Sequence, residues 1–409
     1  MKEAIQQLSM APFNYDLPDE RIAKFPIEPR DHSKLLVYKN GTIVEDSYFE
    51  LDKHLPEETL LLMNNTKVVE ARLIFHKESG AKIEIFCLEP DECYADITTA
   101  MLQTERVFWK CLVGNAKKWK DETLNLEFES NRQQYSLTAK KSVPLVDGWL
   151  VELHWDKQDA SFAEILHLAG IIPLPPYLKR ESEETDKFTY QTVYAQFDGS
   201  VAAPTAGLHF TDRLFEKLEA KSITHDFLTL HVGAGTFKPV KSEVLGEHEM
   251  HAEFIEVDIQ LIEKLSKHTK SRIAVGTTSL RTLESLYWLG VKTLNHPEIE
   301  LKDLLLYQWD AYDLPQGYSF QDASKALLQK LNSSGSKRLI TKTQLLIAPG
   351  YNIRSVEGIL TNFHQPQSTL LLLIYAFVGE DWKIIYDYAL QNDFRFLSYG
   401  DGSLLWKNK

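Results

Sequence analysis

Several polar segments of the chain carry residue types that bind ligands or transfer protons, and the first spans residues 199–210 (GSVAAPTAGLHF). Its small residues allow a ligand to approach the backbone closely, and its hydroxyl and imidazole groups can form hydrogen bonds. The candidates are Thr205, Ala206 and Gly207 for ligand binding and His209 for proton transfer. A Pro-Gly turn with a structural histidine explains the same segment equally well, so the residues alone leave both interpretations open.

A second polar segment, residues 229–240 (TLHVGAGTFKPV), begins as an apolar strand. A strand followed by Gly-x-Gly is typical of the nucleotide-binding turn of methyltransferases and dehydrogenases. That turn needs a helix whose N-terminus faces the ligand, and Pro239 would interrupt a helix at this point. We therefore expect no methyltransferase turn. The candidates here are His231 for proton transfer and Gly233 and Gly235 for ligand binding.

The third segment, residues 274–286 (AVGTTSLRTLESL), predicts a strand, a glycine and then an amphipathic helix. Free backbone N–H groups and hydroxyls converge at such a helix start, where they favour an anion or a carboxylate. An ordinary helix cap would use one hydroxyl and not three. The candidates for this site are Thr277, Thr278, Ser279 and Arg281.

Two histidines and a glutamate in residues 248–258 (HEMHAEFIEVD) raise the question of a metal site. The spacing is not that of the HExxH zinc helix, because His248 and His251 are three residues apart. The alternation after Met250 instead predicts a strand with His251 and Glu253 on one face. We expect this pair to transfer protons, since a carboxylate can orient a histidine, and we predict no metal site.

The C-terminal region carries further functional groups. Residues 360–379 (LTNFHQPQSTLLLLIYAFVG) predict a turn and then an apolar core helix capped by Ser368. The tail, residues 394–405 (FRFLSYGDGSLL), is polar enough that we expect it to be held in a site or an interface. The candidates are Asn362, Arg395 and Tyr399 for ligand binding, and His364 and Asp401 for proton transfer.

The elements that must position these groups change their period along the chain. Asn40 and Gly41 between two short apolar runs predict a hairpin with a tight turn. From about residue 73 to 153, short alternating strands follow one another without a long helix, a pattern typical of a small barrel or sandwich. The predicted strands of this stretch are 82–88, 106–113, 123–128 and 150–155.

After Asp156, predicted strands alternate with amphipathic helices, which indicates an α/β arrangement. The predicted helices are 211–221, 259–269 and 279–289, and the predicted strands between them include 273–275 and 345–347. The first 70 or so residues have their own strand pair and are expected to pack onto this domain. We therefore predict a large discontinuous mixed α/β domain, residues 1–70 and 156–409, with an inserted small all-β, barrel-like domain, residues 71–155.

The charge distribution bears on nucleic-acid binding. A net charge of −13 over 409 residues argues against a protein that coats nucleic acid non-specifically. Residues 106–120 nevertheless contain five cations, no acid and three interleaved aromatic residues. A solvated hairpin edge is the alternative to RNA contact there, because charge runs are usually solvated. The basic candidates are Arg106, Lys110, Lys117, Lys118 and Lys120, with Lys179 and Arg180 as a second group.

Cysteine content and hydropathy limit the class of protein further. Three cysteines without CxxC spacing indicate neither a disulfide framework nor a cysteine zinc site. The polar N-terminus does not match a signal peptide, and no apolar run is long enough to span a bilayer. We expect a cytoplasmic protein with no membrane partner.

Similarity along the whole chain adds to these patterns. The segments YDLPDERIAKFPIEPRDHSKLLV, GIIPLPPYLKR, YQTVYAQFDGSVAAPTAGLHFT, TNFHQPQSTL and SYGD occur in this order. Together they resemble the S-adenosylmethionine:tRNA ribosyltransferase-isomerase family. The resemblance implies a discontinuous α/β domain with an inserted β-barrel. The departures from the family pattern are Asn65 for Asp, Lys67 for Arg, Gln365 for Leu and Gly402 for Ala. Lys67 weakens one functional inference, because lysine offers a point charge in place of a bidentate fork.

The resemblance implies ribosyl transfer from S-adenosylmethionine to 7-aminomethyl-7-deazaguanine at the wobble position of tRNA. Epoxyqueuosine-tRNA, adenine and methionine are the implied products. No cofactor is expected, because S-adenosylmethionine is a consumed substrate, and no obligate protein partner is inferred. We accordingly expect the turn before Arg281 to hold the methionine carboxylate or the ribose, and the turn at Thr205 to hold the nucleoside. The basic groups are then candidates for tRNA phosphates.

Two alternative functions stay open from the sequence. A methyltransferase would also use S-adenosylmethionine, but it requires an acidic residue and a helix around Gly-x-Gly, which Pro239 disfavours. A catalytically inactive tRNA-binding protein would need only the basic surface and would leave the His, Glu and Asp candidates unexplained. A turnover assay separates both from a ribosyltransferase.

Overall fold

A computed structural model of the chain describes residues 2–233 and 242–408. The strands are β1 Lys34–Lys39, β2 Thr42–Ser47, β3 Leu60–Asn64, β4 Thr66–Val68, β5 Arg72–His76, β6 Lys82–Pro90, β7 Arg106–Gly114, β8 Leu124–Ser130, β9 Gln133–Leu145, β10 Gly148–Trp155, β11 Phe197–Ser200, β12 Thr224–His231, β13 Glu253–Asp258, β14 Arg272–Val275, β15 Arg338–Thr343, β16 Gly358–Asn362 and β17 Gly402–Trp406. The α-helices are α1 Lys2–Gln6, α2 Ile97–Met101, α3 Phe162–Ala169, α4 Asp186–Thr189, α5 Asp212–Ala220, α6 Ile259–Lys267, α7 Thr277–Asn295, α8 Asp310–Asp313, α9 Phe320–Ser333, α10 Thr369–Val378 and α11 Trp382–Gln391.

A nine-stranded mixed sheet forms the centre of the larger part of the molecule, in the order β15-β13-β12-β3-β14-β16-β17-β1-β2. Its middle strands β12, β3, β14 and β16 run parallel to one another. Strand β3 is buried on both faces, as central parallel strands are. Alternation sends Leu60 and Leu62 into a core with the helices α6, α7 and α9, and Leu61 and Met63 into a core with α5.

The hairpin predicted at Asn40 and Gly41 is confirmed. Strands β1 and β2 pair antiparallel on either side of these two residues. Both residues have positive φ angles, 48° and 79°, as the tight primed turn between twisted strands requires. The hairpin forms one edge of the large sheet because β1 also pairs with β17 from the far end of the chain.

A second sheet of six strands has the order β5-β6-β7-β10-β9-β8, and all of its pairs are antiparallel. Its two end strands, β5 and β8, also contact each other, so the sheet is nearly closed. It has its own core, which includes Trp109, Trp119 and Trp155 and continues into α3. The predicted α/β class with a small all-β, barrel-like part is therefore confirmed. The domain division 1–70 and 156–409 against 71–155 stays a prediction.

Two local predictions need correction, and a third is confirmed. Residues 345–347 are buried but do not form a strand. Side chains satisfy their carbonyls in place of a neighbouring strand, since Arg281 donates to Leu345 O at 3.0 Å and Tyr312 to Leu346 O at 2.9 Å. Strand β13 begins at Glu253, so His251 precedes the strand and is not part of it as predicted, because the partner strand β15 ends at Thr343, opposite Glu253. Ser368 caps α10 as expected.

The described helices include none with the length and apolar character needed to span a bilayer.

Candidate active site

A cavity of about 560 Å³ opens where the parallel strands of the large sheet end. Carboxyl ends of parallel strands meet at one sheet edge, which is the usual ligand-binding edge of α/β folds. The segments that follow β11, β12, β14 and β16 all contribute to the wall. The structure therefore brings together ten predicted site residues around this cavity: Thr205, Ala206, Gly233, His251, Glu253, Thr277, Thr278, Arg281, Asn362 and His364.

The first turn of α7 forms one wall of the cavity. Gly276, with a φ of 88°, precedes the helix, and its N–H donates to Leu360 O at 2.7 Å. The N–H groups of Thr277 and Thr278 follow in the turn that has no intrahelical acceptors. Ser279 instead points into the protein, where its hydroxyl donates to Val275 O at 2.7 Å. The helix start can thus receive an anion through Thr277 and Thr278. The third predicted hydroxyl, that of Ser279, is not available to it.

Arg281 and Glu253 form a buried ion pair in the cavity wall. Their side chains are 13% and 7% exposed. Arg281 also donates to the carbonyls of Leu345 at 3.0 Å and His251 at 3.3 Å, and Glu253 accepts from the N–H of Gly233 at 3.4 Å. The guanidinium predicted as an anion ligand is therefore already occupied by protein groups.

The segment before β13 brings two histidines to the cavity. Gln308 holds this segment by accepting from Met250 N at 2.9 Å and donating to His248 O at 2.7 Å. Burial, followed by the nearby His251, lowers the pKa of His248. His251 is exposed and lines the cavity. Over residues 2–233 and 242–408, no group of three or more His, Cys, Asp or Glu side chains is arranged to hold a metal ion.

Asn362 and His364 lie at the end of β16 and just beyond it. Asn362 Oδ1 accepts from the Thr205 hydroxyl at 2.8 Å, and its Nδ2 donates to His209 Nε2 at 3.3 Å. His364 Nε2 is 3.0 Å from Thr361 Oγ1. Burial lowers the pKa of His364 to about 3, so its ring is neutral at neutral pH. These hydrogen bonds connect the 205–209 turn to the end of β16.

His209 and His231 lie behind the wall and do not line the cavity. The His209 ring stacks on Tyr48 with centroids 4.1 Å apart, and burial lowers its pKa to about 3. His231 Nδ1 is 3.1 Å from Thr66 Oγ1, and burial lowers its pKa to about 4. Each is a neutral packed imidazole that lies behind the residues lining the cavity.

The predicted tail residues also lie outside the cavity. Asp401 accepts from the N–H groups of Lys34 at 3.0 Å and Arg395 at 2.8 Å, and it pairs with the Arg395 guanidinium at 3.1 Å. Tyr399 donates to Asp186 at 3.0 Å. Gly207 is tightly packed, because a Cβ there would lie 1.9 Å from the Tyr194 hydroxyl oxygen. Gly235, the remaining candidate, lies outside the described residues.

Comparison with known proteins places the chain in a family. A family model described as Queuosine biosynthesis protein matches residues 10–405. This chain belongs to that family of queuosine biosynthesis proteins. An S-adenosylmethionine:tRNA ribosyltransferase-isomerase from Magnetococcus marinus is 37% identical over 399 residues, covering 96% of this chain and 93% of the relative. A crystal structure of S-adenosylmethionine tRNA ribosyltransferase from Thermotoga maritima has 27% identity and a TM-score of 0.44, covering 96% of this chain and 99% of that one.

Family membership confirms the family resemblance that the ordered sequence segments indicated. It also confirms that the chain is an enzyme, a transferase of queuosine biosynthesis and tRNA modification. The cavity residues Tyr177, Gln365 and Leu397 were not among the site candidates from the sequence, and Gln365 was noted only as a departure from the family pattern. The signal that could have found Tyr177 and Gln365 is their position inside two of the segments that carried the resemblance.

The basic candidates of this queuosine biosynthesis enzyme fall into two groups. Arg106 pairs with Glu152 at 3.5 Å, Lys110 lies 3.3 Å from Glu89, and Arg180 is held by two 2.7 Å hydrogen bonds to Asp186. Lys179 is exposed and pairs with Asp19. In contrast, Lys117, Lys118 and Lys120 are exposed and form no ion pair with the part of the chain that the structure describes.

Proposed function

We propose that this enzyme transfers and isomerises the ribosyl part of S-adenosylmethionine onto 7-aminomethyl-7-deazaguanine at the tRNA wobble position. The products are epoxyqueuosine-tRNA, adenine and methionine. The proposal rests on family membership, on the printed name of the Magnetococcus marinus relative and on one structural observation. That observation is the cavity at the sheet edge, which is lined both by the start of α7 and by the candidate proton-transfer residues His251 and His364.

S-Adenosylmethionine binds in this cavity. Its methionine carboxylate lies at the start of α7, where the N–H groups of Thr277 and Thr278 and the helix dipole favour a negative charge. The small residues Ala202, Ala203 and Ala206 allow the nucleoside to approach the backbone. Arg281 shapes the wall through its pair with Glu253 and does not bind the carboxylate.

The reaction requires a base that removes the C5′ proton next to the sulfonium. Loss of adenine, attack by the aminomethyl nitrogen and closure of the epoxide with departure of methionine then follow. His251 is our assignment for the base, because it lines the cavity and its ring is not hydrogen-bonded to any described residue. His364 is a poorer base, since burial lowers its pKa to about 3. His209 and His231 act as positioning residues, and Asp401 and Arg395 hold the tail.

No cofactor takes part, because the sulfonium of the substrate supplies the activation and S-adenosylmethionine is consumed. The tRNA is held through the exposed lysines of the 106–120 stretch. Undiminished turnover after exhaustive chelation and dialysis of the enzyme supports the absence of a cofactor. Activity that is lost on chelation and restored by one metal ion contradicts it.

A double-label experiment tests the function. The enzyme is incubated with tRNA that carries 7-aminomethyl-7-deazaguanine and with S-adenosylmethionine labelled separately in the methyl group and in the ribose. Ribose label enters tRNA as adenine appears, and methyl label stays in free methionine. Methyl label in tRNA without release of adenine establishes a methyltransferase and overturns the proposal.

A further inference from the structure

A second cavity, of about 570 Å³, adjoins the first. The two share four wall residues: Tyr177, Gln365, Pro366 and Leu397. Most of the remaining lining of the second cavity comes from the N-terminal segment, residues 14–19, which no candidate site from the sequence included. Its volume lies within the usual range for small-molecule sites, about 300–1,000 Å³. A reaction that joins two large substrates needs two such compartments that meet.

We propose that the second cavity receives the deazaguanine base of the tRNA and that the Asp16 carboxylate binds the Watson–Crick edge of that base. The inference rests on the proposed function, because it assigns the second substrate of that reaction to a compartment. S-Adenosylmethionine then occupies the first cavity, and the reacting groups meet at the shared wall.

Two tyrosine rings with fixed positions line the second cavity. The Tyr15 hydroxyl donates to the carbonyl of His364, and the Tyr177 hydroxyl is 2.6 Å from Ser398 Oγ. Each hydroxyl is therefore tied to the protein, which fixes the position of each tyrosine in the cavity wall. Enzymes that act on a base take it out of the stack and hold it between aromatic or apolar side chains. The two rings, with Leu17 and Ile22, provide such a pocket.

Asp16 supplies the polar group that this pocket needs. Its carboxylate forms no hydrogen bond or ion pair with any of residues 2–233 and 242–408, whereas neighbouring Asp19 pairs with Lys179. A guanine-type base presents two donors on its Watson–Crick edge, the ring N–H and the exocyclic amino group. A carboxylate offers two acceptor oxygens and can take both at once.

The reactive substituent lies on another edge of the base. The 7-aminomethyl group extends from the Hoogsteen edge, beside O6, so binding of the two Watson–Crick donors at Asp16 leaves the amine free to react. We place that amine at the shared wall, where the two cavities meet. Gln365 lies in that wall, and its side-chain amide has no hydrogen-bond partner among the residues that the structure describes. Its oxygen can accept from the amine before attack on the ribosyl carbon.

The matched variants Asp16→Asn and Glu20→Gln test the inference. Both remove one exposed carboxylate of the N-terminal segment, but Glu20 does not line the cavity. Asp16→Asn replaces an acceptor with a donor towards the base, so we expect kcat/KM for modified tRNA to fall about 10- to 100-fold. We expect KM for S-adenosylmethionine and the melting temperature to stay at wild-type values. Glu20→Gln should match the wild type in all three measurements.

A modified tRNA gives a second readout. In tRNA whose 7-aminomethyl-7-deazaguanine lacks the exocyclic amino group, one of the two donors is missing. The wild type should discriminate against this tRNA about tenfold or more, and Asp16→Asn should lose that discrimination. Equal discrimination by both proteins, or an unchanged kcat/KM in Asp16→Asn, overturns the inference while wild-type ribose transfer keeps the proposed function. A wild type that transfers no ribose label overturns both.

Discussion

Histidines at four positions show how burial decides the chemistry available to one residue type. Burial lowers the pKa of His209 and His364 to about 3 and that of His231 to about 4. An imidazole with such a pKa is a weak base, because the charged form is disfavoured away from water. His251 is exposed at the cavity. The position best placed to exchange a proton with a ligand is therefore the one outside the packed core.

Replacing His251 with Gln should lower kcat about 10²- to 10⁴-fold, the usual contribution of one acid-base group, with a smaller change in KM. The effect should be concentrated in the transition state, because Gln keeps the polarity and approximate size of the side chain. Ribose transfer under saturating substrates measures it. His154→Gln on the exposed face of β10 is the matched control. Equal kcat values in the two variants would remove His251 from the reaction.

At the scale of elements, Arg281 joins three parts of the large sheet region. From the first turns of α7 it pairs with Glu253 on β13 and donates to Thr343 O at the end of β15 and to Leu345 O just beyond it. Because the pair is nearly buried, removal of one partner leaves a charge without compensation. The same hydrogen bonds fix the wall of the cavity, so we expect both stability and substrate binding to depend on Arg281.

We expect Arg281→Met to lower the free energy of unfolding by about 3 kcal/mol. This is the lower end of the loss, about 3–5 kcal/mol, that follows removal of one partner of a buried ion pair. Arg338→Met is the matched control, because Arg338 is half exposed and pairs with Glu256 on the same strand β13. Exposed pairs are worth about 0.5 kcal/mol. Urea denaturation of both variants measures the difference. A decrease in Arg281→Met no greater than in the control would show that the pair contributes little to folding.

At the scale of the whole molecule, an acidic protein must still bind a polyanion. The net charge of −13 repels tRNA at long range. Most of the predicted cations are neutralised by nearby carboxylates, whereas Lys117, Lys118 and Lys120 are exposed on the barrel without such partners among the described residues. We therefore expect a small local surface to bind the phosphates, while the acidic remainder discourages non-specific RNA.

Replacing Lys117, Lys118 or Lys120 with Ala should weaken tRNA binding, and it should reduce the salt slope by about one unit wherever the replaced lysine binds a phosphate. Titration of labelled tRNA at several salt concentrations measures both the affinity and the slope. Lys325→Ala, an exposed lysine of α9, is the control. Unchanged affinity and slope in all three variants would indicate that the stretch is solvated surface.

The three deeply buried histidines should also make folding sensitive to pH. Each titrates near 6.5 when unfolded, but burial lowers the pKa of His209 and His364 to about 3 and of His231 to about 4. The unfolded chain therefore binds more protons below pH 6.5, and stability falls as the pH falls.

Between about pH 6 and 5, each of these histidines is largely protonated in the unfolded chain and neutral in the folded chain. Each should then add up to about 1.4 kcal/mol per pH unit to the slope of the free energy of unfolding against pH. Urea denaturation at several pH values gives the slope, and His231→Gln should reduce it by the share of one histidine. An identical slope in the variant would show that His231 does not titrate on unfolding.

The sequence by itself determined the elements whose signals are local. Asn40 and Gly41 fixed a hairpin because few other residues adopt two successive positive φ angles. Periodicity predicted helices at 211–221 and 279–289, and the structure has helices at 212–220 and 277–295, since an amphipathic pattern requires only the residues of one helix. The ordered family segments identified the function class, because long matches are far more specific than short motifs.

Only the tertiary structure decided which candidate side chains line the cavity. Thr277 lines the cavity while Ser279, two residues later, bonds back to Val275, because the helix rotates it into the core. His209 and Asp401 became buried structural groups through hydrogen bonds with residues far away in sequence. Asp16 lies in the first of the ordered family segments, but no local pattern marked it as a site residue. The role that we propose for it depends on Tyr177 and Gln365, and long-range packing alone brings these three residues to one cavity.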